Sequence, residues 1–204
     1  MKHLILASGS PRRRELMSQV GLDFTVVTSD ADENIKEMEP EDYVRELSSI
    51  KAQSVLEQYA DKDDSVIVIG ADTIVYHKGE ILTKPKDEED AFRILKSLEG
   101  QIHQVYTGVT VILCQEAGSY AGSTFSEKTD VEVYDMEDEE IAAYVSTGEP
   151  LEKAGAYGIQ GSFAAYIRGI HGDYTNVVGL PLGRLCHEIK KLLEEQENDQ
   201  AGRN

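Results

Sequence analysis

The sequence predicts a mixed α/β protein, and three observations carry this prediction. Apolar runs with the continuity of buried strands alternate with segments of helical spacing from end to end. No repeat, low-complexity segment or linker interrupts the alternation. With 204 residues, 40% of them hydrophobic, the chain can bury a substantial core as one domain of one or two lobes.

The individual elements follow from local signals. Pro11 and Pro40 each fit the first position of a helix, where no N–H is needed, while Ser10 and Asp87 have the chemistry of N-caps. Glycines such as Gly21 can end the helices. The predicted elements are strand 4–7, helix 11–20, strand 24–28, helix 40–60, strands 65–70 and 74–77, helix 88–99, strands 102–114 and 119–134, helix 138–147, strand 163–170 and a final helix from about 181.

The charge balance excludes two classes of partner. The chain has 38 acidic and 20 basic residues, a formal net charge of −18. Nucleic acid polymers and anionic membrane surfaces reward broad basic patches, so neither is an expected partner. A small anion still fits if positive charge is concentrated at one site or if a metal bridges carboxylates to the ligand. Part of the acidity lies in residues 194–204, which we expect to be a frayed tail.

The cysteines and the N-terminus indicate a reducing compartment. Cys114 and Cys186 both lie within apolar patterns, without the spacing of a zinc site or redox pair, so we interpret them as buried thiols. The start lacks the apolar core of a signal peptide, and no apolar run approaches membrane-spanning length. We therefore expect a cytoplasmic protein.

Residues 6–13 form the most informative stretch, Leu-Ala-Ser-Gly-Ser-Pro-Arg-Arg. A strand runs through small residues into a helix start, where free backbone N–H groups attract anions. Arg12 and Arg13 stand beside those groups, and the small residues let a ligand approach the backbone. The pattern predicts an anion cradle, with phosphate as the first candidate. The alternative is an ordinary strand–helix turn with two solvated arginines.

Two further charged residues are candidates because of where they stand in the predicted elements. Asp72 follows the most apolar run of the chain, and ligands of α/β sheets collect beyond the carboxyl ends of strands. It is therefore a candidate for metal binding or water activation; otherwise it is a turn or capping residue. Lys51 lies on the apolar stripe of its helix, between Leu47 and Val55, so it either snorkels to solvent or meets an anion.

A glycine-rich loop and two loop charges complete the candidates. Residues 153–161 contain three glycines, which keep the backbone bare for a close-fitting ligand. Gln160 carries a donor and an acceptor, the minimum for reading a base edge. Without a ligand, the same loop is a tight strand entry with Gln160 facing water. Lys84, held extended by Pro85, and Glu33 both read as solvated when taken alone.

Together these motifs resemble the Maf family, which is named for septum formation inhibition and comprises nucleoside triphosphate pyrophosphatases. The resemblance is collinear over about residues 3–193, which we take, with the first residues, as a single domain, 1–193. The matching motifs are 8–13 (Ser-Gly-Ser-Pro-Arg-Arg), 70–73 (Gly-Ala-Asp-Thr), 84–85 (Lys-Pro), 148–150 (Gly-Glu-Pro), 153–161 and 176–181 (Asn-Val-Val-Gly-Leu-Pro).

The resemblance implies a long mixed sheet flanked by helices, with two lobes around a nucleotide cleft, akin to inosine triphosphate pyrophosphatases. It implies hydrolysis of a nucleoside triphosphate to a monophosphate and pyrophosphate, and the motifs look like those of the subgroup acting on dTTP and UTP. The residues it implies are Asp72, Lys84 and Lys51 as catalytic, Ser8, Arg12, Arg13, Thr73 and Gln160 as substrate-binding, and Glu33 with Asp72 as ligands of Mg²⁺ or Mn²⁺.

Two alternative functions and the oligomeric state stay open at this point. A non-enzymatic nucleotide-sensing regulator of cell division, acting through a protein partner, would have the same pocket. An enzyme that removes modified nucleotides would keep the reaction and change the physiological substrate. A homodimer is consistent with the resemblance, but nothing in the residues decides the oligomeric state.

Overall fold

The computed structural model describes residues 2–36, 38–59, 66–114 and 120–201, with residues 200 and 201 described by their backbone alone. Its centre is a seven-stranded sheet of order β2-β1-β3-β5-β6-β7, with β4 pairing β3 as well. The elements are β1 (His3–Ala7), α1 (Pro11–Gln19), β2 (Phe24–Val26), α2 (Pro40–Glu57), β3 (Val66–His77), β4 (Glu80–Leu82), α3 (Glu88–Leu98), β5 (Ile102–Cys114), β6 (Tyr120–Val133), α4 (Asp138–Val145), β7 (Ile167–His171), α5 (Tyr174–Val178) and α6 (Leu182–Ala201).

The sheet is mixed, which confirms the predicted fold class. β1 runs parallel to both β2 and β3, whereas β3, β5, β6 and β7 are successively antiparallel. The β3–β4 hairpin turns at Lys78 and Gly79, as predicted, with φ angles of 49° and 91°. Both residues of a tight two-residue hairpin turn of this kind need a positive φ, so glycine at the second position relieves strain.

Strand β3 is longer than the sequence predicted. Residues 71–73 were predicted to separate two strands, but β3 is continuous from Val66 to His77. β5 pairs with it throughout, from Ile67↔Leu113 to Tyr76↔Gln104, so the polar residues in its middle remain in the ladder. Asp72 therefore lies inside a strand rather than after one, and the strand that ends beside it is β1.

The opposite edge of β3 is left partly open. β1 pairs along this edge up to Ala7↔Gly70, and β4 begins to pair at Val75↔Leu82. Residues 71–74 therefore face neither strand. An unpaired stretch between two neighbours on one sheet edge leaves backbone groups free for side chains and room for a ligand. The cleft described below opens at this gap.

Helix α2 packs unusually close to the sheet. A Cβ placed on Gly108 would lie 2.0 Å from the Val44 carbonyl oxygen, and one on Gly70 would lie 2.2 Å from that of Ser48. Only glycine permits such an approach between helix and strand backbones. This contact brings Lys51, one turn farther along α2, over the middle of β3.

The other face of the sheet carries two apolar clusters, one on each side of Thr73. The first packs α1 and α6 against the first half of β3, and the second packs α3 and α4 against its second half. The cleft described below lies between them.

None of the helices in the described part of the chain has the length and apolar character of a membrane span.

Several boundaries differ from the sequence expectations. The strand expected at 163–170 begins at Ile167, because Ser162–Tyr166 forms a 3₁₀ turn that buries Phe163 against Tyr144. The strand expected at 24–28 ends at Val26, and the helix α5 was not predicted. α6 continues to Ala201 and includes much of the acidic tail. The expected boundaries at residues 60, 65 and 119 lie outside the described part of the chain.

Candidate functional site

A cleft of about 690 Å³ opens at the unpaired stretch of β3. Every candidate residue from the sequence lines it: Ser8, Arg12, Arg13, Glu33, Lys51, Asp72, Thr73, Lys84 and Gln160. The lining contains five basic and three acidic side chains, although the whole chain has a net charge of −18. Positive charge is therefore concentrated at this one site, which is the condition for binding a small anion.

Arg13 closes the open edge of β3. Its guanidinium donates to the Ala71 carbonyl at 2.8 Å, to Ser8 Oγ at 3.0 Å, to Thr73 Oγ1 at 2.9 Å and, through Nε, to the Gly179 carbonyl at 2.7 Å. The side chain is buried, and burial lowers the pKa of Arg13, an effect that the negative charge of Asp72 opposes. Four of its five N–H groups are thus used by the protein, and the charge remains at the cleft.

A chain of hydroxyl groups continues inward from Arg13. Thr73 Oγ1 lies 2.9 Å from Thr107 Oγ1, its cross-strand neighbour on β5, which in turn donates to the Asn176 carbonyl. Asn176 is fully buried and donates through Nδ2 to the Val105 carbonyl and to Thr129 Oγ1. These hydrogen bonds hold α5, and with it the Gly179 carbonyl, at the back of the cleft. The motif at 176–181 marked this region in the sequence, but its role as a support appears only in the fold.

Lys51 meets two carboxylates instead of reaching solvent. Its ammonium donates to Asp72 Oδ1 at 2.6 Å and lies 3.0 Å from Glu33 Oε2. The Lys51 and Asp72 side chains are only 13% and 14% exposed, whereas Glu33 is 51% exposed on its loop. The three charges, which come from a helix, a strand and a loop, form one cluster at the floor of the cleft.

The N-terminal cradle takes shape around Ser8. Its buried hydroxyl accepts from Arg13 and, at 3.3 Å, from the backbone N–H of Ser10. Ser10 occupies the N-cap position of α1 as predicted, but its own side chain makes no capping hydrogen bond. Arg12 is half-buried and lines the cleft. Lys84 is exposed at the rim, before buried Pro85.

The glycine-rich loop forms the opposite wall. Gly155 adopts a φ of 69° and Gln160 is exposed toward the cleft. The Gln160 carboxamide makes no hydrogen bond to another residue that the structure describes. Glu152 and Lys153 also line the cleft, although no role was predicted for either.

The carboxylates limit how a metal ion could be held. Over the described ranges, no group of three or more His, Cys, Asp or Glu side chains is arranged to hold one. Glu33 and Asp72 are the pair within the cluster, and carboxylate oxygens are ligands that suit Mg²⁺. Mg²⁺ commonly binds through one or two carboxylates and completes its shell with water and substrate phosphate oxygens. The residues present fit that mode of binding.

The fold and cleft define a mixed α/β protein with a cationic site for a small polyanion at an open sheet edge. The family model described as Maf-like protein matches residues 3–192. The chain belongs to this family. It is 51% identical over 201 residues to a protein of Agathobacter rectalis named dTTP/UTP pyrophosphatase, covering 94% of this chain and 98% of that protein.

A second relative, from Lachnoclostridium phytofermentans and of the same name, is 49% identical over 192 residues, which cover 94% of this chain and 96% of that protein. Among solved structures, a HAM1 protein from Coxiella burnetii is 14% identical, with a TM-score of 0.46 and coverage of 96% of this chain and 100% of that one.

Proposed function

We propose that this protein hydrolyses nucleoside triphosphates, dTTP and UTP preferentially, between the α and β phosphates, releasing a nucleoside monophosphate and pyrophosphate. The observation that carries the proposal is the cluster of Asp72, Lys51 and Glu33 at the floor of a cationic cleft. The names of the relatives at 49–51% identity support the same reaction and favour turnover over a purely regulatory role.

The triphosphate would lie along the basic side chains. Arg12, Lys84 and the N-terminus of α1 supply charge and N–H groups at the cradle, and Arg13 adds its charge from behind. Ser8 has its hydroxyl in the same turn. As the Pα–O–Pβ bond breaks, negative charge moves onto the leaving pyrophosphate, and these cations are placed to stabilise it.

Asp72 is the candidate to orient the attacking water. A carboxylate at the cleft floor can accept a hydrogen bond from water and hold it in line with the Pα–O bond. Lys51 donates to Asp72, and this hydrogen bond fixes the direction of the carboxylate. Because Asp72 would also bind the metal ion, positioning of the water contributes more than proton abstraction.

Glu33 and Asp72 are the residues that would hold a divalent cation, Mg²⁺ or Mn²⁺. Such an ion would supply charge neutralisation and polarisation of the α-phosphate. Lys51 contacts the same two carboxylates, so it keeps them together against their mutual repulsion.

Base choice is assigned to the glycine-rich wall. Thymine and uracil present an O4 acceptor beside an N3–H donor, and the carboxamide of Gln160 can meet both. Arg12 and Thr73 complete the residues proposed for substrate choice. Thr73 uses its hydroxyl within the protein, so its methyl group is the part left to contact a ligand.

A panel of nucleoside triphosphates, normal and modified, incubated with Mg²⁺ or Mn²⁺ tests the proposal. We expect pyrophosphate and monophosphate from dTTP and UTP, and loss of activity in excess chelator. Orthophosphate and diphosphate would place the attack at the γ-phosphorus and contradict the proposal. A modified nucleotide with a higher kcat/KM than dTTP would identify a different physiological substrate.

A further inference from the structure

The loop that carries Gln160 rests on the carboxylate of Glu149, a residue outside the machinery described so far. The Ser162 hydroxyl and backbone N–H donate to Glu149 Oε2 at 3.1 and 3.4 Å. The Tyr144 hydroxyl donates to the other oxygen, Oε1, at 3.2 Å. Glu149 thereby joins the end of the loop to helix α4.

Contacts with Glu149 and Lys153 explain two of the three glycines of the loop, Gly161 and Gly158. A Cβ on Gly161 would lie 1.9 Å from Glu149 Oε1, and one on Gly158 would lie 2.7 Å from Lys153 Cε. The loop backbone therefore lies directly on these two side chains. Any side chain at Gly161 would displace the carboxylate that supports it.

Two neighbours hold Glu149 in place. Lys153 Nζ donates to the Glu149 carbonyl at 2.9 Å and lies 3.9 Å from its Oε1. The Tyr144 hydroxyl also accepts from the Gly158 N–H at 3.4 Å, so it contacts both the carboxylate and the start of the loop. Burial raises the pKa of the Tyr144 hydroxyl, and the charge of Glu149 raises it further, so the hydroxyl keeps the proton that it donates.

Gln160 lies between these attachment points. Its carboxamide has no hydrogen-bond partner among the described residues, so its position depends on the backbone that Glu149 and Tyr144 hold at Gly158 and Ser162. We propose that Glu149 is a positioning residue for base recognition, acting through the loop 158–162 on Gln160. The inference rests on the proposed function, since it assigns the loop to the base.

Glu149→Gln tests this inference because it keeps the size of the side chain and removes the charge and one acceptor oxygen. We expect KM for dTTP and UTP to rise about tenfold with kcat within about twofold, since base contacts act equally in ground and transition states. Hydrolysis of CTP should change little, so the dTTP-to-CTP ratio of kcat/KM should fall about tenfold. Glu139→Gln, on the exposed surface of α4, removes the same charge and is the control. It should leave KM for dTTP and the dTTP-to-CTP ratio of kcat/KM unchanged.

A second variant, Tyr144→Phe, removes only the bridging hydroxyl and keeps the ring against Phe163, whose centroid is 5.0 Å away. Tyr144→Phe should also lower the dTTP-to-CTP ratio of kcat/KM. In the variant that combines it with Glu149→Gln, this ratio should fall by less than the product of the two single effects. Equal losses for all nucleotides, or an unchanged dTTP-to-CTP ratio in both folded variants, would overturn the inference.

The outcomes separate this inference from the proposed function. A wild-type protein that binds nucleotides without releasing pyrophosphate would overturn the function alone, and the ratio of dissociation constants for dTTP and CTP, measured in chelator, would then decide the role of Glu149. If the wild-type protein hydrolyses triphosphates of all bases with equal kcat/KM, the inference is overturned but the proposed reaction is not. A wild-type protein that binds no nucleotide would overturn both.

Discussion

Lys51 Nζ lies 2.6 Å from Asp72 Oδ1, and this contact joins helix α2 to the middle of strand β3. It exists because Gly70 and Gly108 let α2 approach the sheet more closely than any side chain would allow. The same ammonium lies 3.0 Å from Glu33, so one cation holds two carboxylates at the floor of the cleft. Removing any of the three charges therefore changes the environment of the other two.

Asp72→Asn keeps the shape of the side chain and removes its charge. We expect kcat for dTTP to fall about 10²-fold or more, the scale of a lost general base or metal ligand. The fold should survive, because Lys51 keeps Glu33 as a partner. Steady-state pyrophosphate release measures the effect, with Asp30→Asn, an exposed change of equal charge, as control. Near-normal turnover would move the catalytic role to another acid such as Glu33.

Gln160→Glu presents acceptors only, so the O4 contact of thymine and uracil is left unpaired. We expect turnover of dTTP and UTP to fall together while the divalent-cation requirement is unchanged. The wild-type protein should separate dTTP from UTP only weakly, roughly tenfold, because one methyl group distinguishes them. If the rates for dTTP, UTP and CTP all stay the same, the base is read elsewhere and Gln160 is part of the scaffold.

Arg13→Lys tests the support of the open edge of β3. A lysine cannot reproduce the four hydrogen bonds to Ser8, Ala71, Thr73 and Gly179, and it leaves buried acceptors unpaired. We expect a loss of about 2–4 kcal/mol in the free energy of unfolding, measured by urea denaturation. Arg14→Lys, at an exposed position of the same helix, is the matched control. Equal stability of the two variants would assign Arg13 to ligand binding alone.

His103 predicts a pH dependence of stability. It is fully buried and bonded through Nε2 to the Tyr157 hydroxyl at 2.7 Å. Burial foremost, and then the nearby His77, lowers the pKa of His103 from 6.5 to about 3, so it is neutral in the folded protein. Between these values the unfolded state binds the proton more tightly, so the stability present above pH 6.5 is progressively lost as the pH falls toward 3.

Urea denaturation at several pH values from 7 to about 4 measures this dependence. His103→Gln keeps a partner for the Tyr157 hydroxyl without a titrating group, so the free energy of unfolding should fall less steeply with decreasing pH than in the wild type. An unchanged slope would show that His103 does not contribute to the acid sensitivity.

The residues by themselves predicted the fold class and most elements, and the motifs in their fixed order gave the family resemblance. Alternation of apolar runs with helical spacing determined the mixed α/β class, and prolines and glycines located most helix ends, because these signals are local. Lys51, Asp72 and Gln160 were singled out by their own positions, whereas the roles of Ser8, Glu33, Thr73 and Lys84 came only from the family resemblance. The 3₁₀ turn at Ser162–Tyr166 was missed because its apolar run also suits a strand, and α5 was missed because five residues are too few to show a helical period.

Only the tertiary structure decided what these residues do to one another. The sequence left open whether Lys51 reaches solvent or contacts an anion. The close packing of α2 on β3 places its ammonium against the carboxylate of Asp72. Asp72 was expected after a strand, but pairing with β5 keeps β3 continuous, and the opening beside Asp72 comes from the end of β1 instead. Glu149 and Asn176 lie in motifs that carry the family resemblance, but nothing local shows which groups they contact. Their roles depend on hydrogen bonds between segments far apart in the chain, which periodicity and spacing do not encode.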